Sequence, residues 1–153
     1  MSTQALVSFL LFLTFYSPGT RAQSSSSIRK DSNTLLIEIR DIRSSKGQIG
    51  VLVFNKDAGF PSAAELAIYK GFVPAREGVL TFEVKGIATG KIAVAVMHDE
   101  NNNSLLDTNF LGIPKEGTGV SNNATSYFGP PEFADCSFDF LRSGQKVMID
   151  INY

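Results

Sequence analysis

The chain has 153 residues, 14 basic and 15 acidic side chains, a formal charge of −1 and 43% hydrophobic residues. That length allows one domain and little more, and that apolar content excludes wholesale disorder. With no basic excess to hold a phosphate backbone or an anionic membrane surface, nucleic-acid binding and peripheral membrane binding are disfavoured.

Ala5 to Tyr16 (ALVSFLLFLTFY) is an apolar run of signal-peptide length, too short to span a bilayer comfortably. Ser17, Pro18 and Gly19 break it, and Thr20 and Ala22 put small residues where a signal peptidase reads. No Lys or Arg precedes the run, so the terminal amine alone supplies positive charge there. Residues 1–22 are therefore read as a signal peptide cleaved after Ala22, and the mature chain as exported, periplasmic or secreted, without a transmembrane segment. Cleavage removes Arg21 and no acid, leaving 14 − 1 = 13 basic and 15 acidic residues, a net −2. No cysteine follows the leader, so lipid attachment there is not indicated. Residues 23–33 (QSSSSIRKDSN) are Ser-rich and polar and read as a flexible tether. The domain is expected over residues 34–153.

Strand patterns open the domain. Leu35, Ile37 and Ile39 share one face of a first segment; after a turn at Ser44 to Gly47, Ile49, Val51 and Val53 share one face of a second. The two together suggest a β-hairpin. Ser62 and Glu65 then stand at capping-box spacing, and Leu66, Tyr69 and Phe72 fall on one side of a short helix ending by Gly71. Leu80, Phe82 and Val84 alternate with polar residues in the next strand. Lys91 to His98 is the most apolar strand, with Ala93 and Ala95 set among Ile92, Val94 and Val96, so it is expected to be central and covered on both faces. Cys136 to Phe140 and Val147 to Tyr153 complete the set. Six or seven short strands, Gly-rich turns and one short helix predict a mainly β, antiparallel sandwich carrying a long ordered loop. The lone cysteine, Cys136, excludes an intramolecular disulfide and reads as a small buried hydrophobe.

That loop, Asp99 to Pro131, carries most of the functional information. Loops of this length in a small domain are usually functional or disordered. Leu105, Leu106, Phe110, Ile113, Tyr127 and Phe128 give this one enough apolar area to be ordered. Asp99, Asn101, Asn103 and Asp107 occupy relative positions 1, 3, 5 and 9 of a calcium-type loop, with the Leu105 carbonyl as a further oxygen. An EF-hand would need Gly and Glu where Ser104 and Phe110 stand, so a final carboxylate would have to come from elsewhere, Glu116 or Asp135. With few formal charges, Ca2+ affinity would sit at ~10⁻⁴ M, the range of extracellular modules. A metal-free Asx-rich turn explains the same residues.

The stretch His98-Asp99, Asn101 to Asp107, Gly112 to Gly117 and Ser121 to Asn123 (HDENNNSLLDTNFLGIPKEGTGVSNN) resembles the signature of an exported, uncharacterised bacterial family, domain of unknown function 2141. Weaker similarity runs from Leu35 to Tyr153. Where the family pattern has Asn-Gly, this chain has Asn103-Ser104. The resemblance implies an immunoglobulin- or prealbumin-like sandwich of the bacterial envelope and brings no reaction, substrate or partner.

Two functions are weighed. An enzyme of hydrolase type would use His98 with loop carboxylates, but adjacent strand residues point to opposite faces, so His98 and Asp99 do not make a natural dyad. No nucleophile elbow, zinc motif or phosphate loop is present in the sequence. A binding or accessory module is favoured, recognising an envelope protein, peptide or glycan. Its expected surface is His98, Phe110, Lys115, Glu116, Tyr127 and Phe128, with Phe133 near them. No catalytic residue is assigned.

Overall fold

The computed structural model describes residues 33–153. The expected leader, and all of the tether but Asn33, lie outside the described residues. The strands are β1 (Thr34–Ile42), β2 (Gln48–Phe54), β3 (Tyr69–Pro74), β4 (Gly78–Lys85), β5 (Gly90–Asp99), β6 (Gly117–Val120), β7 (Phe138–Phe140) and β8 (Gln145–Asp150). One helical turn, α1 (Phe133–Cys136), precedes β7. One sheet has the order β4-β1-β8; the other has β3-β2-β5-β6, with β7 also paired to β5.

Alternation explains the packing. Leu35, Ile37, Ile39 and Ile149 of the first sheet and Ile49, Val51, Val53, Ile92, Val94 and Val96 of the second are all buried, and they form one shared core. Each such side chain removed from water stabilises the fold by about 1.5–3 kcal/mol before entropy is subtracted. β5 is central, as its composition predicts: β2 flanks one side, and β6 and β7 divide the other, with Ala93 and Ala95 buried. The described residues are mainly β, with two sheets around one core, consistent with a β-sandwich.

Several expectations need correction. β1 and β2 do not form a hairpin; β1 pairs with β4 and β8, and β2 with β3 and β5. Local alternation cannot distinguish two apolar faces lying side by side from two facing each other across a core. Nor is the pairing purely antiparallel, because β1 and β8 run parallel, with Ile37 opposite Val147 and Ile39 opposite Ile149. The helix expected near Ser62 is only a 3-10 turn, Ala64–Leu66, without a side-chain cap. Tyr69 and Phe72 instead belong to β3, hydrogen-bonded along β2. Here pairing to a neighbouring strand outweighs a weak capping signal, because a short helix carries a costly nucleus. The strand expected from Cys136 begins at Phe138, since Cys136 ends α1. The long loop is interrupted by β6, which pairs with Ala95 to His98.

Candidate functional site

The long segment leaves the sheet in two excursions. The first runs from Asp99, at the end of β5, to Gly117, which pairs opposite His98. The second starts past Val120, level with Ala95, and ends in α1.

At the first, alternation sends His98 toward the core and Asp99 to the other face, and both are fully buried. His98 Nε2 lies 2.8 Å from the Lys46 carbonyl, which only accepts, so this nitrogen carries the proton; Nδ1 then accepts from the Tyr153 hydroxyl at 2.6 Å. The close approach depends on Gly47 (φ +69°), where a Cβ would run into the Asp99 carbonyl. Arg43 stacks over the Tyr153 ring at 4.1 Å and pairs with Glu100, which also accepts from Ser44 Oγ at 2.9 Å. The Arg43 bond holds the Glu100 carboxyl at about 2, with burial opposing and Ser44 assisting.

The Asn/Asp loop is a ladder of side chain to backbone bonds. Asp99 accepts from the backbone N–H of Asn103 at 3.1 Å and of Ser104 at 2.8 Å, and from Gln48 Nε2 at 2.7 Å. Burial raises its carboxyl, but the Gln48 bond and the backbone N–H groups outweigh that and leave it below its ordinary value. Asn101 Oδ1 accepts from Asn103 N, and Asn103 Oδ1 from Leu105 N. The amides of Asn101 and Asn103 both donate to Asp107. Of the two carboxylates considered for closing the loop, Glu116 reaches it: it accepts from Glu100 N and Asp107 N, each at 3.2 Å. The Asp135 backbone carbonyl instead accepts from Asn122, in the second excursion. Among the described residues no three His, Cys, Asp or Glu side chains group as a metal site, so a cation here would rest also on Asn and backbone oxygens.

Beyond Asp107 a small hairpin forms, bridged at Thr108 and Pro114 and held by Asn109 Oδ1. Its tip exposes Phe110, Leu111 and Ile113, and Lys115 follows in solvent.

The second excursion is anchored by Ser121-Asn122-Asn123. Buried Ser121 Oγ accepts from Val94 N at 2.9 Å and donates to the Cys136 carbonyl at 2.6 Å. Asn122 donates to the Asp135 and Ser137 carbonyls, and Asn123 to the Asp150 carboxylate. Downstream, Tyr127 is 100% and Phe128 95% exposed. An open cleft of about 620 Å³ follows, lined by Lys56, Asp57, Phe60, Pro130, Pro131, Glu132, Phe133 and Ala134. Phe60 meets buried Phe54 edge-on at 5.5 Å and Phe133 at 5.8 Å, which fixes the aromatic wall.

The residues expected to share one surface are thus divided. His98 and Glu116 are buried and serve the framework. Phe110 and Lys115 belong to the first excursion, and Tyr127 and Phe128 to the second. The cleft lining adds Lys56, Asp57, Phe60 and Glu132, which lie outside the Asp99 to Pro131 loop, and Pro130 and Pro131 at its end, none of them in the expected surface. Pro130-Pro131 among aromatic residues was a readable signal of a rigid wall; the opposing contribution of Lys56 to Phe60 was not, because only tertiary packing brings it there.

A two-sheet β-domain with a buried His98 network, an Asx-ladder loop and an open aromatic cleft is the class of protein these features define. Residues 37–149 match the family described as an uncharacterised protein conserved in bacteria (DUF2141), and the chain belongs to it. No curated protein and no solved structure matches it.

Proposed function

We propose that this chain is an exported, non-catalytic recognition module of the bacterial envelope, built on an immunoglobulin- or prealbumin-like sandwich, that binds a protein partner at the Pro130–Ala134 cleft and the exposed segment leading into it. The observation that carries the reading is the exposure of Tyr127 (100%) and Phe128 (95%) in the chain just before Pro130, where the wall of that cleft begins. Exposed aromatic side chains are typical anchors of protein interfaces. A recognition role over an enzymatic one is supported by His98: both ring nitrogens are bonded to the framework and the ring is buried. Export rests on the leader pattern, and among the described residues no helix is long and apolar enough to cross a membrane.

For the 99–107 loop we propose weak Ca2+ binding as a structural aid. Support comes from oxygen-bearing side chains at alternate positions and from the nearby Glu116 carboxylate.

The partner-binding test is photo-crosslinking in the producing bacterium, with the probe placed at Tyr127, at Phe128, at Phe110 or at the exposed Leu141, which does not line the cleft. Probes at 127 and 128 should give one discrete adduct that 141 does not. The purified partner should then bind the wild-type chain and fail to bind Y127S/F128S. Adducts at 110 alone, the same pattern at 141, or none at all would overturn the cleft as the binding face.

A further inference from the structure

The cleft has a chemical bias. Its apolar walls are Phe60, Phe133, Pro130 and Pro131, and its charged rim is Asp57, Glu132 and Lys56. These three side chains make no ion pair or hydrogen bond with another described residue. Some surface charges, such as Arg40 with Asp150 and Lys146 with Glu38, are paired, and others, such as Glu65, Arg76 and Arg142, form no ion pair among the described residues. The rim therefore presents two unpaired carboxylates against one ammonium, and complementarity favours a cationic group in the occupant.

The backbone of the cleft narrows the choice further. Pro130 and Pro131 have no N–H to donate, so this wall cannot extend a β-ladder to an incoming strand. A polyproline II segment needs no such ladder: it carries its low conformational entropy into the complex and packs its rings on aromatic and proline faces. Resting on the reading above that the cleft is a protein-binding face, we infer that its occupant is an extended, proline-containing segment of the partner with an arginine or lysine next to its apolar residues. The basic side chain lies at Asp57 and Glu132, and the apolar residues lie against Phe60, Phe133 and Pro131.

The test is NMR titration of the full chain, isotopically labelled, with three synthetic heptapeptides. One is arginine followed by proline and leucine residues; one replaces that arginine with glutamate; one replaces it with leucine. The arginine peptide should shift the amide signals of residues 56–60 and 132–134 saturably, and bind about three- to tenfold more tightly than the glutamate peptide, as two exposed ion pairs allow. The variant D57N/E132Q, altered only at exposed positions, should erase that preference while leaving the leucine peptide's affinity unchanged. Equal affinities for the arginine and glutamate peptides, shifts confined to other regions, or no saturable shift with any peptide would overturn the inference. Should crosslinking at Tyr127 still identify a partner in those cases, the ligand class falls and the binding face stands; absent adducts at 127 and 128 remove both.

Discussion

The Tyr153 hydroxyl lies 2.6 Å from Nδ1 of His98, joining β5 to the chain beyond β8 across 55 residues of sequence. The same oxygen accepts the backbone N–H of Arg43 at 3.0 Å. Tyr153→Phe removes both bonds and leaves a buried imidazole nitrogen without a donor. The expected cost is about 1–3 kcal/mol, read from the urea midpoint of the full chain. An unchanged midpoint would show that the hydroxyl contributes nothing to the framework.

Ser121 is fully buried, with one hydroxyl serving both a strand N–H and a helix carbonyl. Ser121→Ala orphans both groups, and roughly 1–3 kcal/mol of stability should disappear. Hydrogen exchange should quicken at Val94 more than at Leu35, which lies in the other sheet. Uniform acceleration at both positions would argue against a local latch.

The Glu100 carboxyl, held at about 2 by Arg43 with burial opposing, sets an acid dependence. Its folded value is depressed, so the stability it contributes is fully present above its unfolded value. That value is about 4.5, and the contribution is lost as pH falls through about 2. Asp99, also lowered, adds in the same direction. Because the Arg43–Glu100 pair is partly exposed, its share is on the order of 1 kcal/mol. Glu100→Gln should flatten the loss of stability between pH 4.5 and pH 2; an equally steep acid limb in this variant would refute the assignment.

Burial pushes the Cys136 thiol up to about 11, with Asp135 adding to the effect. Native protein at pH 8 should resist a disulfide reagent that requires thiolate, and should react in step with unfolding as urea is added. Rapid stoichiometric labelling of the native state would contradict its burial.

Calcium at about 10 mM, roughly a hundredfold above a dissociation constant of ~10⁻⁴ M, should stabilise the fold by about 2.7 kcal/mol over chelator. The melting temperature should rise by roughly 5 °C or more, and Asp99→Asn should shrink that rise. Superimposed melts with calcium and chelator would remove the metal and leave the Asx ladder as the whole account of the loop.

Much of this molecule follows from side-chain alternation. The inward faces of β1, β2, β5 and β8, the centrality of β5, the burial of Cys136 and the family signature around His98 to Asn123 were legible because each rests on residues a few positions apart. What tertiary structure alone decided is which faces meet. The crossing of β1 and β2 into different sheets, the capture of Tyr69–Pro74 by β2, and the junction of Phe60 with Phe133 depend on contacts far apart in the chain. Periodicity states which side of a strand is apolar; only the closing of the core selects its neighbour, and with it the place where a cleft is left open.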